Sequence, residues 1–254
     1  MELLTADGVA LNAVHSRARS MDLCVVLAHG FTNNVRTPHV RSIARWLVAE
    51  RVGVLSCDSR GHGQSGGHST VGDLEPLDLD TVVAEARLLG YRRVVTCGWS
   101  MGGSVVIRHA ALRGKLCGGF VLSHAPDAVV SVSGLSRWYY RDTAAMRRVL
   151  YAIEKPSGRA VARVVLRTRI WHEHWDPVPV SPVQCIADVA PLPLLIVHGD
   201  QDQYFPLEHP LALAEAAGPA AQLWIEKGMG HAEKAATPDL VARLAQQIQA
   251  LVSA

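Results

Sequence analysis

Through most of this chain, short uninterrupted apolar runs alternate with stretches in which apolar residues recur at i, i+3 and i+4. A strand that is apolar at every position has no face to offer water, a pattern that belongs to parallel sheets covered by helices on both sides. Residues 23–28, 52–57, 94–97 and 120–123 read as strands in the first half, and 194–197 and 222–226 continue the series. Val40, Ile43, Ala44, Leu47 and Val48 mark one helix face, and residues 79–89, 101–112, 207–217 and 238–252 carry helical patterning. Thr237 suits the cap of the last helix and Pro238 its first position. The opening, residues 2–5 and 9–15 around the turn Asp7-Gly8, predicts an antiparallel hairpin. The expected class is α/β, a mostly parallel, doubly wound sheet.

The rhythm breaks once, over residues 127–185, in two basic, helical stretches and a Pro-rich passage at 176–182. One domain is expected, with residues 1–126 and 186–254 as core and 127–185 as a helical cap insertion. A cap over the carboxyl edge of the sheet would shape the place where open parallel sheets bind ligands. With 49% apolar and 19% charged residues over 254 positions, the chain can bury one large core.

Charge and cysteine usage narrow the partners. The net charge of +2 comes without a basic footprint or recognition motif, so no nucleic acid partner is expected. Five cysteines, an odd number with no C-x-x-C spacing, read as free thiols in a reducing compartment and offer no zinc site. The start lacks the basic and apolar regions of a signal peptide, and no apolar run approaches the roughly 20 residues of a bilayer span. A cytoplasmic protein without a membrane span is expected. Its oligomeric state is not written in the sequence.

Gly98-Trp99-Ser100-Met101-Gly102 lies between the strand 94–97 and the helix that follows. G-x-S-x-G in that setting places serine on a sharp strand-to-helix turn, and the small residues on either side relieve crowding. The new helix directs its positive end toward the place where an oxyanion would form.

With further motifs in order, the chain resembles the α/β-hydrolase superfamily over nearly all its length outside the cap. His29-Gly30-Phe31 is similar to the family's H-G-x turn, which implies Phe31 and Met101 N–H as oxyanion donors and a turn-shaping role for His29. Asp58-Ser59-Arg60-Gly61-His62-Gly63-Gln64-Ser65 resembles the D-x-R-G-x-G-x-S loop, whose work is structural. Gly199-Asp200-Gln201-Asp202-Gln203-Tyr204-Phe205-Pro206 resembles G-x-x-D-x-x-x-P, favouring Asp202 as the acid over Asp200 and over Asp127 after the preceding strand. Gly228-Met229-Gly230-His231 matches the loop of the catalytic histidine. The resemblance implies a Ser100–His231–Asp202 triad acting through an acyl-enzyme, with no cofactor and no metal. Its expected partner is a small acyl substrate, an ester first and a thioester or other acyl compound as the alternative. A non-catalytic ligand-binding protein on the same fold is the reading from a different class.

Residues 131–170 hold nine Lys/Arg against two acidic residues, a net of +7, and Arg159, Arg163 and Arg167 recur every four residues. That spacing gives either a solvated basic face or a surface that attracts an anionic substrate. Trp138, Trp171 and Trp175 could line an apolar or aromatic pocket or pack into the core. His172-Glu173-His174 lacks further ligand spacing and reads as surface.

Overall fold

A computed structural model describes residues 1–253. The first half runs β1 (Glu2–Leu4), β2 (Ala10–Ser16), β3 (Leu23–Ala28), α1 (Pro38–Ala49), β4 (Gly53–Cys57), α2 (Glu75–Leu88), β5 (Arg93–Trp99) and α3 (Met101–Ala111). It continues with β6 (Leu116–Cys117), β7 (Phe120–Val121), β8 (Ala128–Val132), α4 (Ala144–Glu154), α5 (Pro156–Val165) and α6 (Pro182–Cys185). The last third is β9 (Leu194–Gly199), α7 (Glu208–Ala217), β10 (Ala221–Glu226) and α8 (Pro238–Leu251). Eight strands form one sheet in the order β1-β2-β4-β3-β5-β8-β9-β10. β1 and β2 are antiparallel, and every pairing from β4 to β10 is parallel.

The uninterrupted apolar runs have a direct structural reason. In β3, Leu23, Val25 and Leu27 join the core under α1 and α8, while Cys24, Val26 and Ala28 join the core under α2 and α3. Because side chains alternate across a strand, a sheet covered on both faces needs apolar residues at every position. α8 starts as its sequence predicts: Pro238 opens it and the Thr237 hydroxyl accepts from Leu240 N–H.

Two expectations are corrected. Residues 120–123 do not enter the main sheet. β7 pairs with β6 in a separate hairpin, turned by Gly118 and Gly119, and leaves Phe120 and Val121 exposed. The strand that takes their place in the main sheet is β8, inside the range assigned to the insertion, where it pairs with β5 on one side and β9 on the other. Two apolar runs follow α3 in succession and the sheet has room for one, a choice made by which run reaches between β5 and β9. The second correction is the start of α2, four residues earlier than its apolar periodicity indicates. Its first turn buries Glu75 and Asp78, polar residues that periodicity cannot place in a core. Glu75 accepts from the Ser69 hydroxyl and from Thr70 and Gly72 N–H.

Asp78 is held by Arg60, which also pairs with Asp7 at 2.8 Å. Burial pushes the Asp78 carboxyl up to about 7, against the pull of the Arg60 guanidinium. The loop that contains Arg60 is the seat on which residues 167–171 dock. Gly63 N–H donates to Arg167 O, Ser69 N–H to Arg169 O, and the Arg169 guanidinium reaches Ser65 O.

Candidate active site

Ser100 stands between β5 and α3 with φ 54° and ψ −118°, a conformation that costs an L-residue on the order of 1–3 kcal/mol. The turn is tight enough to dictate its neighbours. A Cβ on Gly98 would lie 2.0 Å from Gly102 O, and one on Gly102 would lie 2.4 Å from Ala28 O. Ser100 N–H donates to Val132 O at 2.9 Å, tying the turn to β8. These constraints hold Ser100 at the carboxyl edge of the sheet, beside a cavity of about 910 Å³.

β9 and β10 bring the other two residues to the same edge. His231 Nε2 lies 2.9 Å from Ser100 Oγ, and His231 Nδ1 lies 2.7 Å from Asp202 Oδ2. An ionised Asp202 requires the proton on Nδ1, which leaves Nε2 free to accept from the serine hydroxyl. The Asp202 side chain is fully buried, and its Oδ1 accepts from Tyr204 and Phe205 N–H. Burial alone would raise its pKa. The hydrogen bond and charge of His231, with the Phe205 N–H and His198, more than offset that and hold the carboxyl below its ordinary value. The Tyr204 ring stacks on the imidazole at 4.2 Å, with Phe205 edge-on at 5.3 Å, so the ring orientation is fixed by packing as well.

The Gly30–Phe31 peptide is oriented by its neighbours. Ser59 N–H donates to His29 Nε2, which puts the His29 proton on Nδ1, and Nδ1–H donates to Gly30 O at 2.9 Å. Asn33 N–H donates to the same oxygen. A trans peptide with its carbonyl held in this way points its N–H, that of Phe31, in the opposite direction. Met101 N–H belongs to the first turn of α3, where backbone donors have no partner within the helix.

The remaining sequence candidates separate. Asp200 accepts from Gly228 N–H and braces the His231 loop. Asp127 lies at the start of β8, bound to Val94 N–H and Arg87, at the opposite end of the strands from Ser100. Trp138, Trp171, Trp175, Arg159 and Arg167 line the cavity with Ser100 and His231. Arg163 is exposed on α5 and does not line it. Arg159 spends its guanidinium on the Ile153 and Glu154 carbonyls at the end of α4. Among the described residues, no cluster of three or more His, Cys, Asp or Glu could hold a metal ion, and no helix is long and apolar enough to cross a membrane.

His198, His209 and Glu233 carry no functional signal in the sequence. His198 donates from Nε2 to Phe205 O at 2.7 Å behind Asp202, and burial lowers its pKa. His209 accepts from Ser136 N–H, and Glu233 accepts from Gly30 N–H. His209 and Glu233 join segments far apart in the chain while His198 braces the loop that follows its own strand, and single histidines or glutamates outside a motif carry no signal of either role.

Buried histidines predict an acid-sensitive fold. Burial pushes His62 down to about 3 and His209 down to about 4, from an ordinary 6.5. Above pH 6.5 neither state is protonated and no stability is lost. Below it the unfolded chain takes up protons that the folded chain refuses, so stability falls toward pH 4 by about 1.4 kcal/mol per pH unit for each histidine. Denaturant titrations between pH 7 and 4.5 should show this slope, shallower in His62→Asn. A flat profile would contradict it.

A parallel sheet that gathers a serine, a histidine and a carboxylate at its carboxyl edge defines the α/β-hydrolase class. A family model described as the alpha/beta hydrolase family matches residues 25–244, and the chain belongs to that family. A non-heme haloperoxidase of Rhodococcus erythropolis is 24% identical over 217 residues, 73% of this chain and 78% of that protein. An esterase of Pyrococcus furiosus superposes with a TM-score of 0.74 at 22% identity, covering 98% of this chain and 89% of that one. Est1E of Butyrivibrio proteoclasticus, solved with ferulic acid bound, gives 0.64 at 22% identity and 98% coverage of both chains.

Proposed function

We propose that this protein is a serine hydrolase that cleaves a neutral carboxylic ester bearing a flat, apolar acyl or aryl group. The observation that carries the reading is the 2.9 Å approach of Ser100 Oγ to His231 Nε2, with the buried Asp202 behind it and the cavity in front. His231 takes the Ser100 proton as Oγ attacks the acyl carbon. Phe31 and Met101 N–H hold the resulting oxyanion. As the intermediate collapses, the acyl C–O bond breaks and His231 passes its proton to the leaving alcohol. Water, deprotonated by the same imidazole, then attacks the acyl-enzyme and releases the acid and Ser100.

The preference for a neutral, flat group rests on the wall of the cavity. Trp175 packs against Trp138 and Tyr139 at 5.3 and 5.6 Å. The indole N–H of Trp138 is committed to Pro179 O and that of Trp175 to Thr70 O, so both rings offer faces rather than donors. Charges along the wall nearly cancel: Arg148, Arg159, Arg167 and Lys234 stand against Glu154, Glu173 and Glu233. That balance favours a neutral ester over the anionic substrate suggested by the basic cap.

Fluorophosphonate labelling tests the reading, with Ser100→Ala as control, followed by a panel of aryl, alkyl and anionic esters and thioesters. The expected result is one label per wild-type chain, none on Ser100→Ala, and the highest kcat/KM for neutral aryl esters. A folded wild-type protein that takes no label would reject it.

A further inference from the structure

We propose that Glu233 is a positioning residue that latches the oxyanion loop to the loop of the base, a role that rests on the reading of Ser100 as nucleophile. Glu233 lies two residues past His231, in the short 3-10 turn Ala232–Ala235, and is 4% exposed. Its Oε1 accepts from Gly30 N–H at 2.6 Å, a bond between residues 203 positions apart. Among the described residues no Lys, Arg or His side chain lies within 4 Å of its carboxylate. A buried carboxylate without a cationic partner is costly, and an apolar residue would fill the space at lower cost if packing were its only work.

The place of the bond explains what the carboxylate does. Gly30 precedes Phe31, whose N–H is an oxyanion donor in the proposed mechanism, and glycine is the residue least able to hold its own torsions. Its carbonyl is fixed by His29 and Asn33, and its N–H by Glu233. With both peptides of Gly30 tied, the direction of the Phe31 N–H is set before substrate arrives, which is what an oxyanion donor requires. The fit is close on every side: a Cβ on Gly30 would lie 3.1 Å from Glu233 Oε2 and 3.1 Å from Ser100 Cβ. Because Glu233 travels with His231, the latch also fixes the spacing between base and oxyanion donors. A second tie, Ala232 N–H to Ser133 Oγ at 3.2 Å, anchors the same turn to the end of β8.

The test compares Glu233→Ala with Glu233→Gln, which keeps an oxygen able to accept from Gly30 N–H but removes the charge. Steady-state kinetics on a neutral aryl ester, the second-order rate of fluorophosphonate inactivation and Tm are measured for each. Displacing one oxyanion donor should lower kcat about 30-fold in Glu233→Ala, with KM within about 3-fold of wild type and a parallel fall in inactivation rate. Glu233→Gln should recover kcat to within about 5-fold of wild type. If Glu233→Ala does not fold, Glu233→Asp, one methylene short of Gly30, replaces it under the same criteria. Loss of less than 2-fold in the shortened variant, or an equal fall in Glu233→Gln, would overturn the latch. Failure of the latch leaves wild-type labelling intact, whereas absence of wild-type labelling removes the nucleophile and the latch together.

Discussion

Ser100→Ala is expected to lower kcat by about a million-fold, His231→Ala by a similar factor, and the double variant by no more than either alone. The reason is the shared proton. Without the imidazole the Ser100 hydroxyl has no acceptor at 2.9 Å, and without the hydroxyl the imidazole has nothing to deprotonate. Two residues that act as one unit lose their joint effect once. The check is a double-variant cycle on a chromogenic ester, with each variant purified separately from wild type. Losses that multiply, or single variants within 100-fold of wild type, would show that the two do not work together. A companion stability measurement isolates the strain at φ 54°. Ser100→Gly, free to adopt that angle, should melt above Ser100→Ala, because alanine keeps the Cβ that makes the conformation costly.

Asp202→Asn is expected to lower kcat about 10⁴-fold while the protein remains folded. Asp202 faces two kinds of partner: Oδ1 accepts from the Tyr204 and Phe205 N–H groups, and Oδ2 accepts from His231 Nδ1. An asparagine must turn its carbonyl toward the two backbone donors, and its NH₂ then faces Nδ1. That donor forces Nδ1 to accept, which moves the imidazole proton to Nε2, where it blocks uptake of the Ser100 proton. The geometry survives and the tautomer is wrong. NMR of the imidazole nitrogens should find Nδ1–H in the wild type and Nε2–H in Asp202→Asn. An unchanged tautomer, or a loss of less than tenfold, would contradict this account.

Much of this architecture is legible because it rests on periodicity and on local sterics. Continuous apolar runs identified β3, β4, β5 and β9, since each strand feeds two cores at once. Gly98 and Gly102 could be read because a Cβ at either collides with backbone. What escaped has a different origin. The exchange of 120–123 for β8 turned on which of two similar runs fits between β5 and β9. The early start of α2 was hidden because Glu75 and Asp78 are buried by partners, Thr70 and Arg60, that periodicity does not register.

The same division runs through the site. The sequence by itself determined the fold class, the order of strands and helices around Ser100, and the motif positions of Asp202 and His231. The first two follow from side-chain period and turn sterics, which act over a few residues, and the last from resemblance to the family's motifs. Tertiary structure alone decided that His29 and Glu233 hold Gly30 from two sides, that His198 stands behind Asp202, and that Arg163 faces away from the cavity while Trp138 and Trp175 face it. The Glu233–Gly30 bond joins residues 203 positions apart that meet only when the sheet closes its parallel pairings, and the contacts of His29 and His198, though close in the chain, depend on how their loops fold; no local pattern encodes either.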